Sequence, residues 1–79
     1  MTRTFKIQRH EVFKASRVTL IREMTGEGMH TYHVKTDVRV KGYEGWFCTC
    51  QSSFGEWDDA CSSFREECNA ASVKQPRMI

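Results

Sequence analysis

The sequence predicts a small α+β domain, an antiparallel three- to four-stranded meander packed against one C-terminal helix. Three observations carry this. Up to residue 52 the apolar positions alternate with polar ones, the period of a half-buried strand. The runs are joined by short glycine-bearing segments, which favour antiparallel neighbours. After residue 53 the apolar spacing becomes helical.

The elements follow in chain order. Phe5 and Ile7 alternate like a short strand, so Phe5 to Arg9 is a possible fourth strand. His10 to Ser16 fits either a loop or a helical turn. Val18 to Thr25 is rich in β-formers. Thr25-Gly26-Glu27-Gly28 then reads as a hairpin loop, with glycines supplying backbone freedom. Met29 to Lys41 is the clearest strand. Its even positions from His30 to Val40 are mostly apolar, and its odd positions from Thr31 to Lys41 are polar. Gly42-Tyr43-Glu44-Gly45 makes a second tight connection, and Trp46 to Ser52 a third strand. A helix is expected from about Phe54 to Ala71, opened by a Ser53/Glu56 capping box. Trp57, Cys61, Phe64, Cys68 and Ala71, with Ala60 beside them, form its apolar stripe, and the meander is the surface available to cover it.

A chain of 79 residues makes one domain. Residues 1–72 are read as a single compact α+β domain and 73–79 as a loosely ordered basic tail containing Pro76. With 39% apolar and 28% charged residues the composition is that of a folded chain, not a disordered one. A domain this small holds one core but not also a deep pocket, which argues against an enzyme. No apolar run is long enough to span a bilayer. The opening Met1-Thr2-Arg3-Thr4-Phe5-Lys6 lacks the apolar stretch of a signal peptide. The expectation is a cytoplasmic monomer with reduced cysteines and no membrane contact.

The cysteines are Cys48, Cys50, Cys61 and Cys68. Structural zinc sites favour ligand pairs two to four residues apart on a turn. Here Cys48 and Cys50 are one residue apart on a predicted strand, pointing the same way. Cys61 and Cys68 lie on the core stripe of the helix. All four read as small buried apolar residues, so no metal and no cofactor is expected. His33 is expected to face away from the Trp46, Cys48 and Cys50 side, which separates it from either thiol. No Ser-His-Asp set, phosphate-cradling loop or paired-carboxylate site is legible, and no catalytic residue is assigned.

The charge is more informative. Residues 1 to 45 carry nine Lys/Arg against five Asp/Glu, whereas residues 46 to 72 carry Arg65 against five acids. The net charge of +2 therefore conceals two surfaces of opposite sign. His33, Lys35, Arg39 and Lys41 are expected to share the outer face of the long strand, broken by Asp37, with Phe47 on the same face. Bases beside an exposed ring can hold phosphates and stack a nucleobase; the same pattern also suits a solvated face. On the helix, Glu56, Asp58, Asp59, Glu66 and Glu67 form an acidic surface that could dock on a positively charged groove, or simply be solvated.

Gly28-Met29-His30, followed by alternating Tyr32, Val34, Val38 and Val40, resembles the central strands of double-stranded-RNA-binding domains. That family opens its last helix with a phosphate-gripping lysine cluster; here the matching stretch, Gly55-Glu56-Trp57-Asp58-Asp59, is acidic. The sheet-and-helix plan is similar to that of integrase arm-binding domains as well. In size, compactness and absence of a catalytic motif the chain also resembles the small phage-encoded anti-CRISPR inhibitors. That resemblance implies a protein that occupies the nucleic-acid-binding surface of a host defence complex, such as a CRISPR surveillance complex. The expected function is thus a non-enzymatic inhibitor of a larger protein or nucleoprotein complex; the alternative is a small nucleic-acid-binding module.

Overall fold

A computed structural model of the chain describes residues 3–74. The elements are β1 (Arg3–Val12), β2 (Ser16–Thr25), β3 (His30–Val38), β4 (Phe47–Phe54) and α1 (Trp57–Lys74). The strands form one antiparallel sheet in the order β1-β2-β3-β4, the expected meander with the fourth strand present. Within the expected tail, α1 runs on through Val73 and Lys74, and the remainder, 75–79, lies outside the described residues. No helix among the described residues is long and apolar enough to cross a membrane.

β1 continues to Val12, so the segment from His10 onward is strand, not helical turn. A bulge explains why the sequence conceals this. Ile7 pairs with Ile21 and Arg9 with Leu20, leaving Gln8 as the extra residue. Each such insertion reverses the alternation. Phe5 and Ile7 therefore share a sheet face with His10 and Val12, although their parities differ. A tight turn follows, in which Phe13 N–H donates to the Ser16 carbonyl (2.7 Å).

The hairpin between β2 and β3 forms as expected. Thr25 N–H donates to the Met29 carbonyl (3.0 Å), and the Thr25 hydroxyl oxygen accepts from the amides of Glu27 and Met29 (3.3 Å each). Gly28 takes φ 85°, a region that L side chains rarely occupy. β3 stops at Val38 instead of Lys41. There the Arg39 amide donates to the Ala15 carbonyl (2.8 Å), and the chain turns through Gly42 and Gly45, both at positive φ.

A second bulge interrupts the pairing of β3 with β4. Cys48 pairs with Asp37 and Cys50 with Thr36, so Thr49 is extra. Adjacent β3 positions face opposite ways. Cys48 and Cys50 therefore lie on opposite faces, a correction to the expectation that they point together. Cys48 consequently shares the outer face with His33.

The helix begins at Trp57, three residues later than expected. Ser53 and Phe54 belong to β4, so the Ser53/Glu56 capping box does not form; the first turn closes instead through Ala60 N–H to the Glu56 carbonyl (3.2 Å). Sheet pairing has claimed the residue that the cap required. The apolar stripe of α1 lies over β2, β3 and β4. Val18 and Leu20 of β2, Val34 of β3, and Ala60 and Phe64 of α1 form the core cluster, and Ala71 is also buried. Phe13, Tyr32, Phe54, Cys61 and Cys68 pack around it. Trp57 is exposed at the rim, edge-on to Tyr32 at 5.5 Å. Among the described residues no second layer covers the other side, which leaves the outer face of the sheet and most of β1 open.

Candidate functional site

The turn after β1 and the loop after β3 meet at one end of the sheet, joined by the Arg39–Ala15 bond. Arg17, the second residue of β2, sits directly across from Asp37 of β3 on the outer face. Its Nε donates to Asp37 Oδ2 at 2.9 Å, while Lys35 Nζ approaches the other oxygen at 3.9 Å. The carboxylate is almost fully buried, and a buried charge persists only with such partners. The Arg17 guanidinium also lies 4.5 Å from the centre of the Trp46 ring, and that of Arg39 lies 4.6 Å from it. Both contacts are within cation–π range. In the same loop and the start of β4, Tyr43 and Phe47 meet edge to face at 6.1 Å and stay 67% and 45% exposed. Lys14 and Lys41 are exposed in the two connections. The result is a basic surface set with aromatic rings.

The expected basic stripe is redistributed. His33 and Lys35 do lie on the outer face of β3, but Arg39 and Lys41 fall in the loop beyond it. Phe47 pairs with Val38, out of phase with His33, Lys35 and Asp37. Arg39 lies over Trp46 and Phe47 meets Tyr43, two aromatics that the sequence reading left out, while Lys41 is exposed in the same loop. Their signal was the aromatic spacing in a glycine-bounded loop.

His33 makes contacts that no pattern in the sequence announces. Its Nδ1 lies 2.8 Å from Ser53 Oγ and its Nε2 lies 2.7 Å from Glu23 Oε1, with Arg3 Nε 3.5 Å from the other Glu23 oxygen. A carboxylate only accepts, so Nε2 carries a proton and, in the neutral ring, Nδ1 accepts the Ser53 O–H. The three residues come from three strands, ten and twenty positions apart, so no motif could display them. A Ser-His-Glu chain is the beginning of acyl-transfer chemistry, which also needs donors aimed at a developing oxyanion and room for an acyl group. The hollows described here open elsewhere. One of about 370 Å³ lies between α1 and the β3–β4 pair, near Cys50, Glu67 and Ala71. Another of about 330 Å³ lies between β1 and α1, near Glu11, Phe64 and Cys68. The third, about 210 Å³, lies on the outer face beside Ile7, His10 and Asp37. Through its contacts with Ser53 and Glu23 the His33 ring links side chains of β2, β3 and β4.

The acidic helix surface is smaller than expected. Asp58, Asp59 and Glu66 are exposed on α1. Glu67 instead turns toward the sheet and accepts a hydrogen bond from the Thr36 hydroxyl (3.1 Å). Glu56 precedes the helix. Cys48 and Cys50 are exposed, while Cys61 and Cys68 are half-buried. Burial, followed by the nearby Glu11 and Glu67 carboxylates, pushes the Cys68 thiol above its ordinary pKa. Among the described residues, no three His, Cys, Asp or Glu side chains gather in a metal-binding arrangement.

Comparisons with protein-family models, with curated proteins and with solved structures find no match to this chain.

Proposed function

We propose that the chain is a non-catalytic binding protein whose basic, aromatic end takes single-stranded nucleic acid. The observation that supports this most is the Trp46 ring with Arg17 and Arg39 both over it, next to exposed Tyr43 and Phe47. Trp46 and Asp37 limit the freedom of the guanidiniums and so lower the entropy lost when they grip phosphates. Tyr43 and Phe47 supply ring faces for bases, which stack on aromatics with little regard for sequence. The test is fluorescence anisotropy of a labelled oligonucleotide across a salt titration. Affinity should fall steeply with salt as counterions are released, and Arg39→Glu with Lys41→Glu should abolish it. Undiminished binding by that double variant would remove this surface from consideration.

A second reading is an inhibitor, phage-encoded and acting in the host cytosol, that sits on the nucleic-acid-binding surface of a defence assembly such as a CRISPR surveillance complex. It is favoured by the acidic row Asp58, Asp59 and Glu66, which suits a lysine-rich groove. Reversal of Asp59 and Glu66 would abolish capture of such a complex under this reading and leave oligonucleotide binding intact under the first.

A further inference from the structure

β1 is one of the two edge strands of the sheet, the other being the shorter β4, and among the described residues no strand pairs with its second edge. It is ten residues long, and Phe5, Ile7 and Val12 on its outer face are 60%, 60% and 59% exposed. A long edge with exposed apolar side chains is a template for another strand. We infer that β1 pairs antiparallel with β1 of a second copy of this chain, forming a two-fold symmetric dimer with a continuous sheet.

The bulge at Gln8 makes the strand complementary to itself. It leaves Phe5, Ile7, His10 and Val12 on the outer face and Thr4, Lys6, Arg9 and Glu11 on the helix side, as their β2 partners show. A two-fold axis between Gln8 and Arg9 then keeps like faces together along the strand. Phe5 meets Val12 of the second copy, Ile7 meets its His10, and Lys6 meets its Glu11. Symmetry makes each pair occur twice. Apolar and opposite-charge cross-strand pairs both stabilise a sheet. Moving the axis to lie between Ile7 and Gln8 also preserves the faces, but it sets Lys6 against Arg9 of the second copy, a like-charge pair. Other registers that overlap over most of the strand mix the two faces. Arg9 leaves the centre of the preferred register open, because its guanidinium is drawn 5.7 Å from the Trp57 ring toward the helix. A dimer of this kind departs from the monomer expected from the sequence.

The proposal is independent of nucleic-acid binding. Sedimentation equilibrium of the full chain under reducing conditions, from low micromolar to submillimolar concentration, should show a monomer–dimer equilibrium. Lys6→Glu and Glu11→Lys each turn two attractive pairs into repulsive ones and should weaken dimerisation about tenfold. The two substitutions combined restore opposite charges and should restore the dimer. Circular dichroism of each variant checks that these exposed changes leave the fold intact. Hydrogen exchange of the unaltered chain gives a second readout, since β1 amides should gain protection as concentration rises. A monomer at every concentration, single variants that dimerise undiminished, a double variant that fails to recover, or β1 amides without concentration-dependent protection would each overturn the inference.

Discussion

Arg17 and Asp37 face each other across β2 and β3, with Nε 2.9 Å from Oδ2 and the carboxylate only 4% exposed. The pair joins the sheet to the basic end, since the same guanidinium lies over Trp46. Asp37→Ala should therefore do two things. It should destabilise the fold by about 2 kcal/mol, below the range for a fully buried pair because Arg17 keeps access to water. It should also loosen Trp46, seen as a shift in tryptophan emission before unfolding. Urea denaturation checks the first effect; an unchanged midpoint would show that hydration of Arg17 and Lys35 compensates for the lost carboxylate.

Phe64 anchors α1 on Leu20 and Val34. Phe64→Ala should cost about 3–5 kcal/mol, as large-to-small changes of buried aromatics do. Phe64→Asp should leave the chain unfolded, because an unpaired carboxylate would enter a small core. Thermal melts followed by circular dichroism test both, and an aspartate variant with the original melting temperature would contradict the packing.

The thiols should separate by reactivity. Cys48 and Cys50 are exposed and should react first with iodoacetamide, with Cys68 last and at more alkaline pH. The sign follows from its raised pKa: burial, Glu11 and Glu67 all disfavour the thiolate in the folded state. Ionisation is thus easier in the unfolded chain, and stability should decline as pH rises from the unfolded toward the folded pKa of Cys68. Mass spectrometry of partly labelled protein orders the sites. Early modification of Cys68 at neutral pH would contradict its half-buried position.

Tyr43→Ala and Phe47→Ala should each weaken oligonucleotide binding by about 1–3 kcal/mol if each ring stacks on a base. Both rings are exposed, so folding stability should change little. Anisotropy and thermal melts on the same variants separate the two effects. Lost stability with intact affinity would assign the rings to loop packing instead of to a ligand.

Much of the fold was legible because long amphipathic runs report their own environment. The alternation from His30 to Val38 and the stripe of Ala60, Phe64 and Ala71 each require one apolar partner surface, and in a chain this short they can only cover each other. The candidate site was legible in composition but not in arrangement. Arg39, Lys41 and Phe47 were singled out, yet Trp46 and Tyr43, the rings that Arg39 and Phe47 meet, were not. Of the five acids assigned to the helix surface, Asp58, Asp59 and Glu66 stay exposed on α1, while Glu67 binds Thr36 and Glu56 lies ahead of the first turn.

By itself, then, the sequence determined the element types, their order and the meander, since these depend on local periodicity and short connections. Tertiary structure alone decided which residues share a face. Bulges at Gln8 and Thr49 reverse the alternation that any reading by parity must assume. The Arg39–Ala15 bond ends β3 before its apolar pattern ends, and pairing with β3 takes Ser53 from the helix cap and gives its hydroxyl to His33. Each of these is a competition for a backbone or side-chain hydrogen bond between residues far apart in the chain, and a linear pattern carries no record of which partner wins.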